Sequence, residues 1–360
     1  MLVNQSEHMY KPATDKSVNE KPVSKQSKLD SFFIVKSNPN SVSRRCFIYN
    51  PAVCDAFFAN VPDQNMDTFI ACKNNVKLYL RKSDSGNVPP LLPNVLNTCK
   101  GGSNVPLLKS NLQKAIRRFE TSVALSSALL LLQMDPVQLI RRLPIIYIED
   151  VCLIDSLPIL IWFLMADKDY VLTLRDKWHI IGFVKNLCEV QNMYYPNDEK
   201  VEQSFCHEQL LLNPNSDCLL AIYYRSLWGG MPGDMRMLQT SIRYYIDNPD
   251  KIVKRTLYTY DELFTELGSG TEVHLSILDE AIDFHPFPKM LTMLLKRIEE
   301  DYDLPPDITV DTIKKYIWFC ESGINYRKPL TMEKRDSMVN DELWSIIVRY
   351  LSDVRSALVF

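Results

Sequence analysis

Residues 107–134 read LLKSNLQKAIRRFETSVALSSALLLLQM, and the fold class follows from this stretch. Its first half places apolar side chains at Leu107, Leu108, Leu112, Ala115, Ile116 and Phe119, close to a period of 3.6. That spacing predicts an amphipathic helix. The second half, Ser122–Met134, is apolar nearly all round, as a helix buried inside a protein must be. Downstream, Asp135-Pro136 fits an N-cap followed by proline at the first helical position. Pro144 should then interrupt the helix.

Helical patterning continues toward the C-terminus. Leu157–Ala166 reads as a second buried helix and Thr173–Tyr194 as a long amphipathic one. Asp217–Leu227, Asp234–Ile246, Asp261–Leu267, Leu275–Ile282, Pro288–Tyr302, Thr309–Ser322 and Asp341–Leu358 extend the series. Asp261, Asp311 and Asp341 are expected in first turns, where a carboxylate suits the helix dipole. Residues 104–360 therefore form a helical domain. Residues 45–103 are different. Val76–Arg81 alternates with period two and reads as a strand, and Phe47–Tyr49 as another, so this segment is small and mixed α/β. Ser83–Pro93 and Gly101–Val105 are loops. Residues 1–44 are rich in Lys, Ser, Asn and Pro without helical period, and are expected to be a disordered tail. The expected class is mainly α.

Composition excludes several functions. The 41 basic and 44 acidic residues nearly balance, which argues against a nucleic-acid coat along the whole surface while leaving room for a local basic patch. Glycine is scarce, at 10 residues, and neither GxxxxGK[ST] nor GxGxxG occurs, so a phosphate-cradling loop is not expected. The nine cysteines show no CxxC spacing and several lie in apolar runs, the usage of a reducing compartment. Cys206, His207 and Cys218 lack the ligand spacing of a zinc site. No cofactor, metal or membrane span is expected.

Gln26-Ser27-Lys28-Leu29-Asp30-Ser31-Phe32-Phe33 stands apart in the tail. One short 3₁₀ turn puts residues three apart on the same side, so Leu29 and Phe32 form one apolar plug with Phe33 beside it. The pattern Q-x-x-h-x-x-aromatic-aromatic resembles the PCNA-interacting peptide (PIP box) at Gln26, Leu29, Phe32 and Phe33. Lys21, Lys25, Lys28 and Lys36 flank it. The resemblance implies docking onto the DNA sliding clamp. Gln26 would fill a small polar pocket, and Ile34-Val35-Lys36 would add to a strand edge. It further implies a role in DNA replication or repair, in the nucleus or at a cytoplasmic site of viral replication. DNA and other replication proteins are the further candidate partners.

The body carries fewer signals. Arg117-Arg118 and Arg141-Arg142 are candidate phosphate or partner contacts, or else helix ties to carboxylates such as Glu149-Asp150. Glu149 and Asp150 could instead be metal-binding catalytic carboxylates, although one adjacent pair does not show the convergence a nuclease site needs. Asp283 and His285 could cooperate as base and orienter, or close a helix end. Leu227–Asp234, with three glycines, reads as a tight connection with Asp234 as N-cap. The order Leu112–Arg118, Asp135-Pro136, Arg141-Arg142-Leu143, Glu149-Asp150 and Gly230–Asp234 is similar to the C-terminal collar of the replication-associated recombination ATPases, relatives of the WRN-helicase-interacting protein. That resemblance covers about residues 107–240 and lacks the ATPase module. It implies an oligomerising scaffold rather than a motor. A non-catalytic clamp-bound adaptor is the first expectation. A clamp-recruited nuclease-like enzyme and a scaffold unrelated to DNA are the alternatives.

Overall fold

The computed structural model describes residues 46–82, 88–96, 104–191, 210, 213–268, 270–327 and 340–359. The tail, with its clamp-binding segment Gln26–Phe33, lies outside the described residues, as do Cys206 and His207. The described residues all fall in the unit Ser37–Phe360.

Four strands form the first layer: β1 (Cys46–Asn50), β2 (Asp55–Ala59), β3 (Asp67–Lys73) and β4 (Val76–Arg81). Their order is β2-β1-β4-β3, with β1 and β4 parallel and both outer pairs antiparallel. β3 and β4 are joined by Asn74-Asn75 alone, both at positive φ (48° and 62°). A two-residue hairpin needs that backbone so that its twist matches the strands, and asparagine tolerates it best after glycine. Phe47 of β1 pairs with Phe58 of β2, and the two rings stack at 3.9 Å. A second, two-stranded sheet joins β5 (Asn94–Leu96) to the distant β6 (Glu272–His274) in parallel.

Eleven helices follow among the described residues, so the fold is mainly α with a small sheet-containing N-terminal portion. They are α1 (Val105–Arg118), α2 (Thr121–Met134), α3 (Pro136–Asp150), α4 (Leu157–Ala166), α5 (Leu174–Glu189), α6 (Ser216–Leu227), α7 (Pro232–Asp247), α8 (Tyr260–Glu266), α9 (Met290–Glu299), α10 (Val310–Ile317) and α11 (Asp341–Val359). Every residue of α4 is buried, as its unbroken apolar run requires. It lies under the sheet, where Trp162 Nε1 donates to the Phe47 carbonyl at 3.1 Å. One apolar core thus includes Phe47, Tyr49 and Leu78 of the sheet together with α1 to α7. A second cluster joins α9, α10 and α11 through Leu294, Ile298, Ile313, Ile347 and Leu351.

Local rules account for most boundaries. Asp135 accepts from Gln138 N as the N-cap of α3, and Thr173 and Thr259 form capping boxes with Asp176 and Glu262. Asp261, Asp311 and Asp341 sit in first turns as expected. Four expectations are corrected. Pro144 does not interrupt α3. Burial of Leu143 to Ile148 offsets the roughly 3 kcal/mol cost of proline inside a helix. Leu275–Ile282 is not a helix but an extended run ending in a short 3₁₀ turn. There the Asn111 side chain donates to Ser276 O (2.8 Å) and accepts from Leu278 N (2.9 Å), replacing the bonds a helix would make. α5 stops at Glu189, short of the expected length. Asp234 lies in the first turn of α7 rather than capping it, and Met231 holds the cap position.

Candidate functional site

α1 is amphipathic with both faces covered. Its second face carries Ser110, Gln113, Lys114 and Arg117, spaced three or four apart and all buried. Polar groups in such a place must find partners. Arg117 Nε donates to Asp150 Oδ1 at 2.6 Å, Nη2 to Glu149 Oε1 at 3.3 Å, and Nη1 to the Ser322 carbonyl at 2.9 Å. Gln113 Nε2 donates to Asp150 Oδ2 (2.6 Å) and Glu149 Oε2 (3.0 Å), while its Oε1 accepts from Arg142 Nη2. One residue further round α1, Lys114 Nζ donates to Asp283 Oδ2 at 2.7 Å and to Ser110 Oγ at 2.9 Å.

These groups form one wall of a cleft of about 330 Å³, closed on other sides by Pro106, Met231, Asp234, His285 and Trp318. His285 Nδ1 lies 3.0 Å from Asp283 Oδ2, and the His285 amide donates to Asp283 Oδ1 at 2.8 Å. The imidazole is thereby oriented while half its side chain remains exposed (53%). Arg117 also faces the Trp318 ring, 5.9 Å from its centroid.

The electrostatics follow from crowding. Burial alone would raise the Asp283 carboxyl, but hydrogen bonds from His285 and the Lys114 charge outweigh it and hold the group at about 2. Burial lowers the Lys114 ammonium despite its aspartate. Burial and the adjacent Asp150 carboxylate raise Glu149 against the pull of Arg117 and Arg142. Arg117 is held above its ordinary value, because Asp150 and Glu149 overcome the cost of burial.

No protein-family model matches the chain, and neither a curated protein nor a solved structure was found to be similar to it. The site is therefore read from its own geometry.

Of the residues singled out in the sequence, Arg117, Arg142, Glu149, Asp150, Asp283 and His285 converge at or directly behind this cleft. Arg118 lies at its back, bonded to Glu280 (3.2 Å) and the Glu321 carbonyl (2.8 Å). Arg141 is exposed, and Arg225 Nη2 donates to its carbonyl at 3.2 Å. The sequence reading missed Lys109, Gln113, Lys114 and Trp318. The signal was present: 110, 113, 114 and 117 share one helix face opposite the apolar one. Among the described residues no group of His, Cys, Asp or Glu is arranged to hold a metal ion, and no helix is long and apolar enough to cross a membrane.

Proposed function

We propose that this chain is an accessory protein of DNA replication or repair, recruited to the sliding clamp by Gln26, Leu29, Phe32 and Phe33. The observation that carries the reading is the complete Q-x-x-L-x-x-F-F pattern between lysines. A chance match in a chain this long occurs roughly once or twice in a hundred. Burying one Leu and two Phe side chains is worth about 5–8 kcal/mol gross, and ordering costs reduce that to micromolar affinity. Such a peptide exchanges rapidly while its tether keeps the body near the clamp. The body serves as an adaptor or assembly scaffold, in line with the collar-like order of motifs over residues 107–240. Its place of action is the nucleus or a cytoplasmic site of viral replication. The test is titration of purified clamp into a labelled peptide covering residues 20–40. Micromolar binding that Phe32→Ala/Phe33→Ala abolishes supports the reading. Absence of binding at high concentration removes it.

One observation favours a second reading, a clamp-recruited DNA-processing enzyme. Asp283 orients His285 at the rim of a cleft, the arrangement of a base and its orienter. A DNA-processing activity of the full chain that falls at least a hundredfold in His285→Ala would establish it. An activity unchanged in that variant would dismiss it.

A further inference from the structure

Among the described residues, two cations of the cleft beside α1, Lys109 and Arg142, have no carboxylate in close contact. Arg117 is matched by Asp150, and Lys114 by Asp283. Glu149 is shared between Arg117 at 3.3 Å and Arg142 at 3.9 Å, so the ion pair of Arg142 is long and its close partner is the neutral Gln113 Oε1. Lys109 has a neutral partner, Gln138 Oε1 at 3.0 Å. Behind the Gly229–Asp234 connection, Arg225 is 4% exposed and bonds only carbonyls, Gly229 at 3.1 Å and Arg141 at 3.2 Å. Its Nε is buried with no partner. The remaining acids near this corner are Asp234, which lines the cleft, and Asp135, committed to capping α3. Burial together with Arg142 and Arg141 lowers the Lys109 ammonium, and burial together with Arg141 brings Arg225 to about 10. Lys109 and Arg142, each without a close carboxylate, mark a place where an anion is favoured.

The shape of the cleft narrows the anion. About 330 Å³ lies at the small end of ligand pockets, room for one nucleotide unit and not for a duplex. Lys109, Lys114 and Arg142 contribute charge to the lining, and Met231, Pro286 and the Trp318 indole contribute apolar surface. Charge for a phosphate together with an aromatic face for a base, here Trp318, is the combination by which single strands are held.

We propose that this cleft binds a nucleotide phosphate, contacted by Lys109 and Arg142, with the sugar and base against Met231 and Trp318. The proposal deepens the accessory-protein reading by giving the body its own nucleic-acid contact near the clamp. Single-stranded DNA and free nucleotides share this chemistry.

The test uses the full chain and three probes: a labelled short single strand carrying a 5′-phosphate, the same strand without it, and dAMP as competitor. Lys109→Gln, which removes the charge of a partly buried side chain bonded to the neutral Gln138, should weaken binding about tenfold and lower the salt slope by about 1. Asp234→Asn should act oppositely and tighten binding about threefold, a gain no loss of folding can imitate. Preference for the strand with a 5′-phosphate marks a DNA end as the ligand, whereas binding of dAMP alone marks a free nucleotide. The proposal is overturned if no probe binds at millimolar concentration, if Lys109→Gln leaves affinity unchanged, if Asp234→Asn weakens it, or if a polyglutamate peptide binds where the phosphate probes do not. Phe32→Ala/Phe33→Ala should leave all of these affinities unchanged, so failure of clamp docking and failure of this site read out separately.

Discussion

Asp283→Ala is expected to be among the most damaging single changes in the helical body. The carboxylate is fully buried, and its Oδ2 serves Lys114 at 2.7 Å and His285 at 3.0 Å. Its drop from 3.8 to about 2 corresponds to about 2.5 kcal/mol of preference for the ionised form in the folded state. Removing it also strands the buried Lys114 ammonium, so the total loss should be about 3–5 kcal/mol. The pH dependence has a defined sign. A depressed carboxyl stabilises the fold fully above its ordinary value of 3.8, and that stability is lost as pH falls from there through about 2. Urea unfolding of the full chain at neutral pH, with a double-mutant cycle through Lys114→Met, measures the pair directly. The double variant should recover most of what Asp283→Ala loses, because two apolar groups replace a buried ion pair at little cost. If Asp283→Ala costs under about 1 kcal/mol, or if the two changes simply add, the pair is not coupled and the account of this cleft fails.

Other outcomes follow from the same reasoning. Arg327 sets its guanidinium against the carbonyls of Ile116, Leu187, Cys188 and Val190 at the ends of α1 and α5, and 3.9 Å from the Phe119 ring. Arg327→Ala should cost about 2–4 kcal/mol in urea denaturation, since it strips several terminal carbonyls and a charge from two helix C-termini at once. Asn75→Val should cost at least about 1 kcal/mol and Asn75→Gly almost nothing, because only the former is strained at a φ of 62°. Thermal unfolding of the two variants separates them by several degrees. Trp162→Phe keeps an aromatic ring but loses the hydrogen bond to the Phe47 carbonyl, and should cost about 1–3 kcal/mol by the same assay.

The buried helices were the easiest part of the fold to read. α2 and α4 are apolar on every side, and no other element satisfies such a run over ten residues or more. Strand β1 was legible through Phe47–Tyr49 and β4 through its alternation. β3, Asp67–Lys73, was not, because it lies at the sheet edge and buries only Ala71 well. Its sign was the Asn74-Asn75 pair directly before Val76, a two-residue hairpin turn. β5 and β6 pair across more than 170 residues, and each is three residues long. No local pattern could have revealed them. Pro144 and Leu275–Ile282 went wrong for one reason: tertiary contacts overrode a sound local rule, through core burial in the first case and the Asn111 side chain in the second.

The cleft shows the same division between what is local and what is not. The sequence offered two arginine pairs, a Glu-Asp pair and an Asp-His pair as separate features. None of the four pairs marks a site by itself. The structure brings four of these groups, Arg117, Arg142, Glu149 and Asp150, onto one network through Gln113, and sets Asp283 and His285 beside it through Lys114. Gln113 and Lys114 are therefore the residues that convert scattered signals into a site, yet each looks like an ordinary surface residue of a helix. What distinguishes them is α1 itself. Its apolar stripe accounts for one face, and a helix buried on that face alone would leave Ser110, Gln113 and Lys114 to solvent. They are buried because the 283–286 segment and α3 close over the second face. Burying that many polar groups costs more than an apolar surface would, even when each is paired. Two cations in the cleft lack a close carboxylate, Lys109 facing a neutral amide and Arg142 the Gln113 amide and a carboxylate 3.9 Å away. A wall serving only to join helices would favour leucine at such positions. The retained charge is what turns a packing interface into a site with room for an anionic ligand.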